Sequence, residues 1–226
     1  MARTDHLTTI IPSGIGAEAE ISLEITLPPR QAAKIGAPDE ARTSELTARP
    51  YPAQYVSTWT APDGTRVTLR PIRPADEPLM IKFHGTLSSR SVSFRYFHAM
   101  KLSTRVAHER LTRICFIDHD REMVLVADRE SPTTGEHEIL GVGRLNKIPG
   151  TRDAEFAILV SDQFQGIGLG TEFLGRLLQI GRAEHLKQIL GYILPANVEM
   201  QRICKALGFA ITHDIEDSVV RATITL

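Results

Sequence analysis

Apolar and polar residues alternate in "TRVTLRPIR", where Val67 and Leu69 share one face against Thr68 and Arg70. That period of two predicts a strand. In "ADEPLMIKFHGTL" the residues Leu79, Met80 and Phe83 fall at helical spacing behind an acidic first turn, which predicts a helix. "STRVAHERLTRICF" reads as one further short helix with Ser103 or Thr104 as its N-cap. "EMVLVAD" and "HEILGVGRLNKI" read as strands joined by "RESPTTGE", whose Pro132 and Gly135 are turn residues. "DAEFAILVS" is a third apolar strand. A glycine turn follows, then a long helix to about Leu186, the strand "QILGYIL" and the helix "NVEMQRICKAL", stopped by Gly208 at C′. "FAITHDIE" and "SVVRATITL" close the chain as a hairpin around Asp217 and Ser218. Strands alternating with helices in this order predict an α/β (α+β) domain.

The first 60 residues lack such periodicity and hold six of the chain's 13 prolines. Residues 1–60 therefore read as a linker-like segment and residues 61–226 as the domain. Only "AEISLEITL" (Ala19 to Leu27) alternates like a strand, with Ile21, Leu23, Ile25 and Leu27 on one face. A net charge of −1 argues against a general nucleic-acid binder. Cys115 and Cys204 stand far apart in no paired motif, as in a reducing compartment. No apolar stretch is long enough to span a bilayer, and the N-terminus lacks the apolar centre of a secretory signal. The expected location is the cytoplasm, with no membrane and no nucleic acid as partners. His119 in "DHDRE" has no partner at ligand spacing, so no metal is expected.

The chemistry concentrates in "SDQFQGIGLGTEFLGRLLQIGRAEHL", where Gly166, Gly168 and Gly170 alternate ahead of a broad apolar stripe. The stripe comprises Leu169, Phe173, Leu174, Leu177, Leu178 and Ile180. Such glycines make either a tight turn or a place where a ligand approaches the backbone. The first turn of a helix carries N–H groups without intrahelical partners and a partial positive charge. Removing Cβ atoms there lets a phosphate reach the donors. A P-loop is excluded because no lysine follows the glycines. A dinucleotide fingerprint fails because Thr171 takes the last glycine position and "QILGYIL" has no acidic residue. Gln/Arg-x-x-Gly-x-Gly/Ala remains, met by Gln165, Gly168 and Gly170.

That signature resembles the coenzyme-A loop of the GNAT superfamily of N-acetyltransferases. "NVEMQRICKALGF" is similar to a second block of that family. Upstream, "VTLRPIRPADEPLMIKF", "SFRYF" and "IDHDREMVLVA" resemble the acetyltransferase domain of bacterial Pat-type protein lysine acetyltransferases. Many of those are fused behind an ADP-forming acyl-CoA-synthetase-like region. "AEISLEITLPP" resembles the last strand of that region's ATP-grasp portion. The resemblance is specific over about Tyr51 to Leu226. It implies a GNAT fold, a mixed central sheet with helices on both faces and a coenzyme-A pyrophosphate loop.

By the same resemblance the cosubstrate is acetyl-CoA. Its pyrophosphate would rest on the N–H groups of Gln165, Gly166, Ile167, Gly168, Leu169, Gly170 and Thr171. The backbone of Ile158, Leu159 and Val160 would pair with the pantetheine amides, as an added strand does. Asn197 would touch the pantetheine arm, although an N-cap role also fits it. Acetyl transfer needs a neutral amine. A lysine of pKa about 10.4 is neutral roughly once in 2,500 molecules at pH 7, which places about 4–5 kcal/mol in the barrier. Glu155 lies on the strand leading into the loop, where protein-acetylating members place a glutamate base. An exposed strand-end carboxylate, or a salt-bridge partner, is the bland alternative. No general acid is named. Cys204 occupies the position of the family's acid tyrosine, and Tyr192 is the other candidate. Arg90 and Arg95 beside "SFRYF" read as solvated surface, with contact to an acidic face of a protein substrate as the alternative. The implied partner is a protein substrate with an acceptor lysine, acyl-CoA synthetases foremost. A small-molecule amine acetyltransferase and a non-catalytic acetyl-CoA sensor are the competing readings.

Overall fold

A computed structural model describes residues 51–214 and 218–226. The strand expected at 19–27 and Asp217 of the hairpin lie outside the described residues. The elements are β1 (Ser57–Thr60), β2 (Arg66–Pro71), α1 (Glu77–Gly85), α2 (Ser89–Tyr96), α3 (Leu102–Arg105), α4 (His108–Cys115), β3 (Glu122–Glu130) and β4 (His137–Lys147). There follow β5 (Asp153–Val160), α5 (Leu169–Ala183), β6 (Gln188–Ile193), α6 (Val198–Ala206), β7 (Ala210–Asp214) and β8 (Val219–Thr225). The strands form one sheet in the order β1-β2-β3-β4-β5-β6-β8-β7. Only the β5–β6 pair is parallel, so the sheet is mixed.

Both faces are covered. Phe173, Leu174, Leu177 and Leu178 of α5 pack with Val67, Leu69, Leu125, Leu145 and Phe156 on one face. Met80, Phe83, Val92 and Leu111 from α1, α2 and α4 pack with Val124, Val126 and Leu159 on the other. The Phe173 ring lies over Gly141 and Gly143, where an added Cβ would meet it at 2.8 Å. Among the described residues no helix is long and apolar enough to cross a membrane.

Local chemistry places the end of α6 as expected. Gly208 has φ +86, and Gly208 and Phe209 donate to the carbonyls of Lys205 and Cys204, closing α6 with a Schellman motif. Four elements differ. The sheet begins with β1, four residues before the expected boundary. Tyr51, still earlier, donates its hydroxyl to the Pro71 carbonyl at 2.8 Å. The helix α2 is an addition, nucleated by Ser88, whose Oγ accepts from the Ser91 N–H at 3.2 Å. The single helix expected from Ser103 is broken at Val106 and Ala107 into α3 and α4. The break turns Arg105 inward, and its guanidinium donates to the His84 carbonyl at 2.9 Å, satisfying an orphan acceptor at the end of α1. Finally, α5 stops at Ala183 rather than near Leu186. His185 takes φ +56, and His185 and Leu186 donate to the carbonyls of Arg182 and Gly181, a Schellman motif without glycine.

A buried ion network ties β2 to the start of α1 and to β3. Arg70 donates to both Asp76 oxygens at 2.7 Å and to Asp128 at 2.9 Å. The Arg73 N–H also donates to Asp76 at 2.7 Å. Removing one partner of a buried pair leaves a desolvated charge. Asp76→Asn is expected to lower stability by about 3 kcal/mol. Urea titration should show a lower midpoint with an unchanged slope, and a midpoint within error of the original would count against the network.

Candidate active site

The strand β5 is the spine of the site. It pairs with β4 along its whole length, from Lys147↔Ala154 to Gly141↔Val160. Its pairing with β6 stops at Glu155↔Leu190. Beyond that point the two strands separate. The opening begins where the Phe156 ring lies against Gly191, so close that a Cβ there would overlap it. Ser161 N–H donates to the Leu140 carbonyl and the Asp153 carbonyl accepts from Ile148, so odd-numbered residues of β5 turn their main-chain groups to β4. The Arg152 carbonyl instead accepts from Lys187, ahead of β6. By this alternation Ile158 and Val160 face the opening with backbone groups that β6 does not reach. Leu159 lines the cavity, but its N–H and C=O are directed at β4, so an added strand pairs with its two neighbours and not with it.

The opening leads into a cavity of about 440 Å³, within the usual range for ligand sites. Ile158, Val160, Gln165, Gly168, Thr171 and Asn197 are among its lining residues. At its floor Gly166 and Gly168 take φ +79 and +94, a region that disfavours side chains. Glu172 N–H bonds to the Gly168 carbonyl at 3.0 Å, so the N–H groups of Leu169, Gly170 and Thr171 precede the first intrahelical bond. These donors and the helix dipole make an anion cradle. Gly170 has a different reason to be glycine: a Cβ there would come within 3.1 Å of Ile203 on α6. Leu169 is buried in the core and Ile167 packs against it, so both anchor the loop and offer only main-chain groups to a ligand. Near Gly168 stands the Trp59 ring of β1, 3.7 Å from where a Cβ would sit.

Side chains outside the motif hold the loop in place. Gln165 Nε2 donates to the Val160 carbonyl and to Ser91 Oγ, both at 3.1 Å. Ser91 and Ser88 hydroxyls donate to Asp162 at 3.0 and 2.6 Å, and the Ser88 N–H donates to it at 2.9 Å. These bonds hold the Asp162 carboxyl below its usual range, against the effect of burial. The helix α2 is thereby stitched to the glycine loop. Periodicity did not reveal it, because "SRSVSFRY" is polar and rich in serine. Asn197 caps α6, accepting from Met200 N–H at 3.2 Å, and its amide NH₂ makes no hydrogen bond among the described residues.

Glu155 is half-buried at the point where β5 and β6 part and is not itself among the residues lining the cavity. Burial pushes its carboxyl above the usual range, while Arg95 acts in the opposite direction. Arg95, at the end of α2, is half-buried and lines the cavity, so it is not the solvated residue expected. Cys204 is fully buried in the core, its thiol pushed up to about 12 by burial. Tyr192 is exposed and is not among the lining residues. Neither is placed to protonate a leaving group in the cavity. Among the described residues no group of three His, Cys, Asp or Glu side chains is positioned to hold a metal.

Comparison with known proteins adds a family. The family model described as "Acetyltransferase (GNAT) domain" matches residues 66–210. An acetyltransferase of Pseudomonas aeruginosa is 28% identical over 156 residues, 69% of this chain and 81% of that protein. The crystal structure of the GNAT domain of S. lividans PAT superposes with a TM-score of 0.68 at 25% identity, covering 78% of this chain and 99% of that one. Spermidine N-acetyltransferase from Vibrio cholerae, in complex with CoA and spermine, superposes with a TM-score of 0.56 at 19% identity. That match covers 70% of this chain and 95% of the other.

Proposed function

This chain belongs to the GNAT acetyltransferase family, and from that premise we propose that it moves the acetyl group of acetyl-CoA onto lysine side chains of proteins, acyl-CoA synthetases among them. One observation carries the reading: Glu155 stands where β5 and β6 separate, and the same strand runs on to the glycine cradle. The cradle of Gly166 to Thr171 holds the pyrophosphate. Ile158 takes the pantetheine amides through its N–H and C=O and Val160 through its N–H, its carbonyl being held by Gln165, and the Asn197 NH₂ is a further donor to that arm. The thioester then lies toward Glu155. The lysine nitrogen attacks the thioester carbon and gives its proton to Glu155, directly or through one water. Collapse of the tetrahedral intermediate breaks the C–S bond, and coenzyme A leaves as the thiolate.

A protein lysine fits better than a polyamine. The carboxylates lining the cavity are Asp162 and Glu199. Asp162 is occupied by two serines, and Glu199 faces Arg90 at 3.8 Å. A small polycation therefore finds little negative charge to hold it. Likeness to the GNAT domain of S. lividans PAT points the same way. The test is incubation with acetyl-CoA and a cell lysate, beside parallel reactions with a purified acyl-CoA synthetase and with spermidine. Mass spectrometry should find new acetyl-lysines on proteins, the synthetase included. Acetylated spermidine without any protein acetyl-lysine would make the chain a small-molecule acetyltransferase.

A further inference from the structure

We infer that the acceptor lysine is presented with an acidic side chain beside it, and that Arg95, supported by Arg110 and Arg144, reads that negative charge. The inference rests on the protein-lysine reading above.

The helix α2 sets the geometry. Ser91 touches Gln165 and Asp162 at the glycine-loop end. Arg95 follows one turn later, about 6 Å along the helix, and its charge acts on Glu155. It therefore serves the reacting end of the cavity, not the phosphate end. Arg144 comes from β4. It pairs with Ala157, while Asn146 pairs with Glu155, so Arg144 and Glu155 share a sheet face on diagonal positions. Arg110 comes from α4. The guanidinium groups of Arg95 and Arg110 each stand 5.1 Å from the centre of the Tyr96 ring, which holds both by cation–π attraction.

The charges there do not balance. Arg144 has a loose partner in Glu122 at 3.6 Å. Among the described residues Arg95 and Arg110 make no ion pair, and the Arg110 Nε is buried without a hydrogen-bond partner. Three guanidinium groups thus meet two carboxylates, Glu122 and Glu155. When Glu155 takes the lysine proton, one of those negative charges disappears. Partly buried positive charge without compensation calls for an anion. An aspartate or glutamate next to the acceptor lysine supplies one, and Arg is suited to a carboxylate. A basic neighbour meets repulsion at the same place.

The experiment compares three end-blocked peptides, Gly-Asp-Lys-Asp-Gly, Gly-Ser-Lys-Ser-Gly and Gly-Arg-Lys-Arg-Gly, at saturating acetyl-CoA. The acidic peptide should exceed the neutral one by about tenfold in kcat/KM, carried by KM, with the basic peptide lowest. Arg95→Gln should flatten the series and Arg95→Lys should keep part of it. In parallel, the CoA-loaded protein is titrated by calorimetry with norleucine in place of lysine, a probe that binds without reacting. Peptides acetylated without an acidic preference, or a preference untouched by Arg95→Gln, overturn the inference. Acid-selective, Arg95-dependent binding without acetylation of any peptide keeps the anion site and removes the lysine-transfer reading. Loss of both selectivity and transfer removes both.

Discussion

Glu155→Gln is expected to lower turnover by about 10²–10³, the range for a lost general base, with acetyl-CoA affinity close to that of the unaltered protein. The amide keeps the size of the side chain but cannot take a proton at neutral pH. The carboxylate lies away from the cradle and gives a pyrophosphate no attraction, so binding is spared. The pH profile separates a base from a structural carboxylate. A base works in its deprotonated form. Burial raises the Glu155 pKa, with Arg95 acting against it, so activity falls on the acid side at a pH above the ordinary carboxylate range. Glu155→Gln loses that limb, and its residual rate climbs toward the lysine pKa as more acceptor arrives neutral. Full activity of the variant at pH 7 would make Glu155 structural. Weakened cofactor binding with unchanged turnover would place it in the ground-state complex.

Gly168→Glu is expected to abolish acetyl-CoA binding for two separable reasons. At φ +94 any side chain strains the backbone, by roughly 1–2 kcal/mol. The new carboxylate also sits at the anion cradle and competes for its N–H groups. Losing two charge-assisted hydrogen bonds weakens binding by about 10²-fold or more. Gly168→Ala isolates the first effect, because its Cβ would meet only Trp59, at an ordinary 3.7 Å. Calorimetry should show a small loss for the alanine variant and loss of measurable affinity for the glutamate variant. Circular dichroism should remain native in both. Unchanged affinity in Gly168→Glu would remove the phosphate from this loop.

Much of this was legible along the chain because it is encoded locally. The alternation in "TRVTLRPIR" and "DAEFAILVS" fixes which side chains face which layer, since a strand turns its residues with a period of two. The spacing of Gln165, Gly168 and Gly170 marks a strand-to-helix turn where backbone donors are exposed. Gly208 stops α6 because a left-handed C′ residue favours glycine. These features depend on a residue and its near neighbours.

Other features depend on partners far along the chain. His185 closes α5 in a left-handed conformation because the whole helix end packs that way, with its carbonyl held by Arg152 at 2.9 Å. The serine-rich α2 lacks a helical stripe, yet it is fixed by Asp162 and Gln165 from some 70 residues away. Its attachment half-buries Arg95, which in sequence reads like any exposed arginine. Periodicity shows that β5 and β6 are strands, but not where their pairing stops. The Phe156 ring over Gly191 marks that point, and it gives Glu155 its place at the fork. The sequence by itself determined β2 to β8, α5, α6 and the glycine turn between β5 and α5, since each is set by local backbone preference and side-chain alternation. Only the tertiary structure decided where the sheet opens and which charges gather there, because both are set by packing between distant segments.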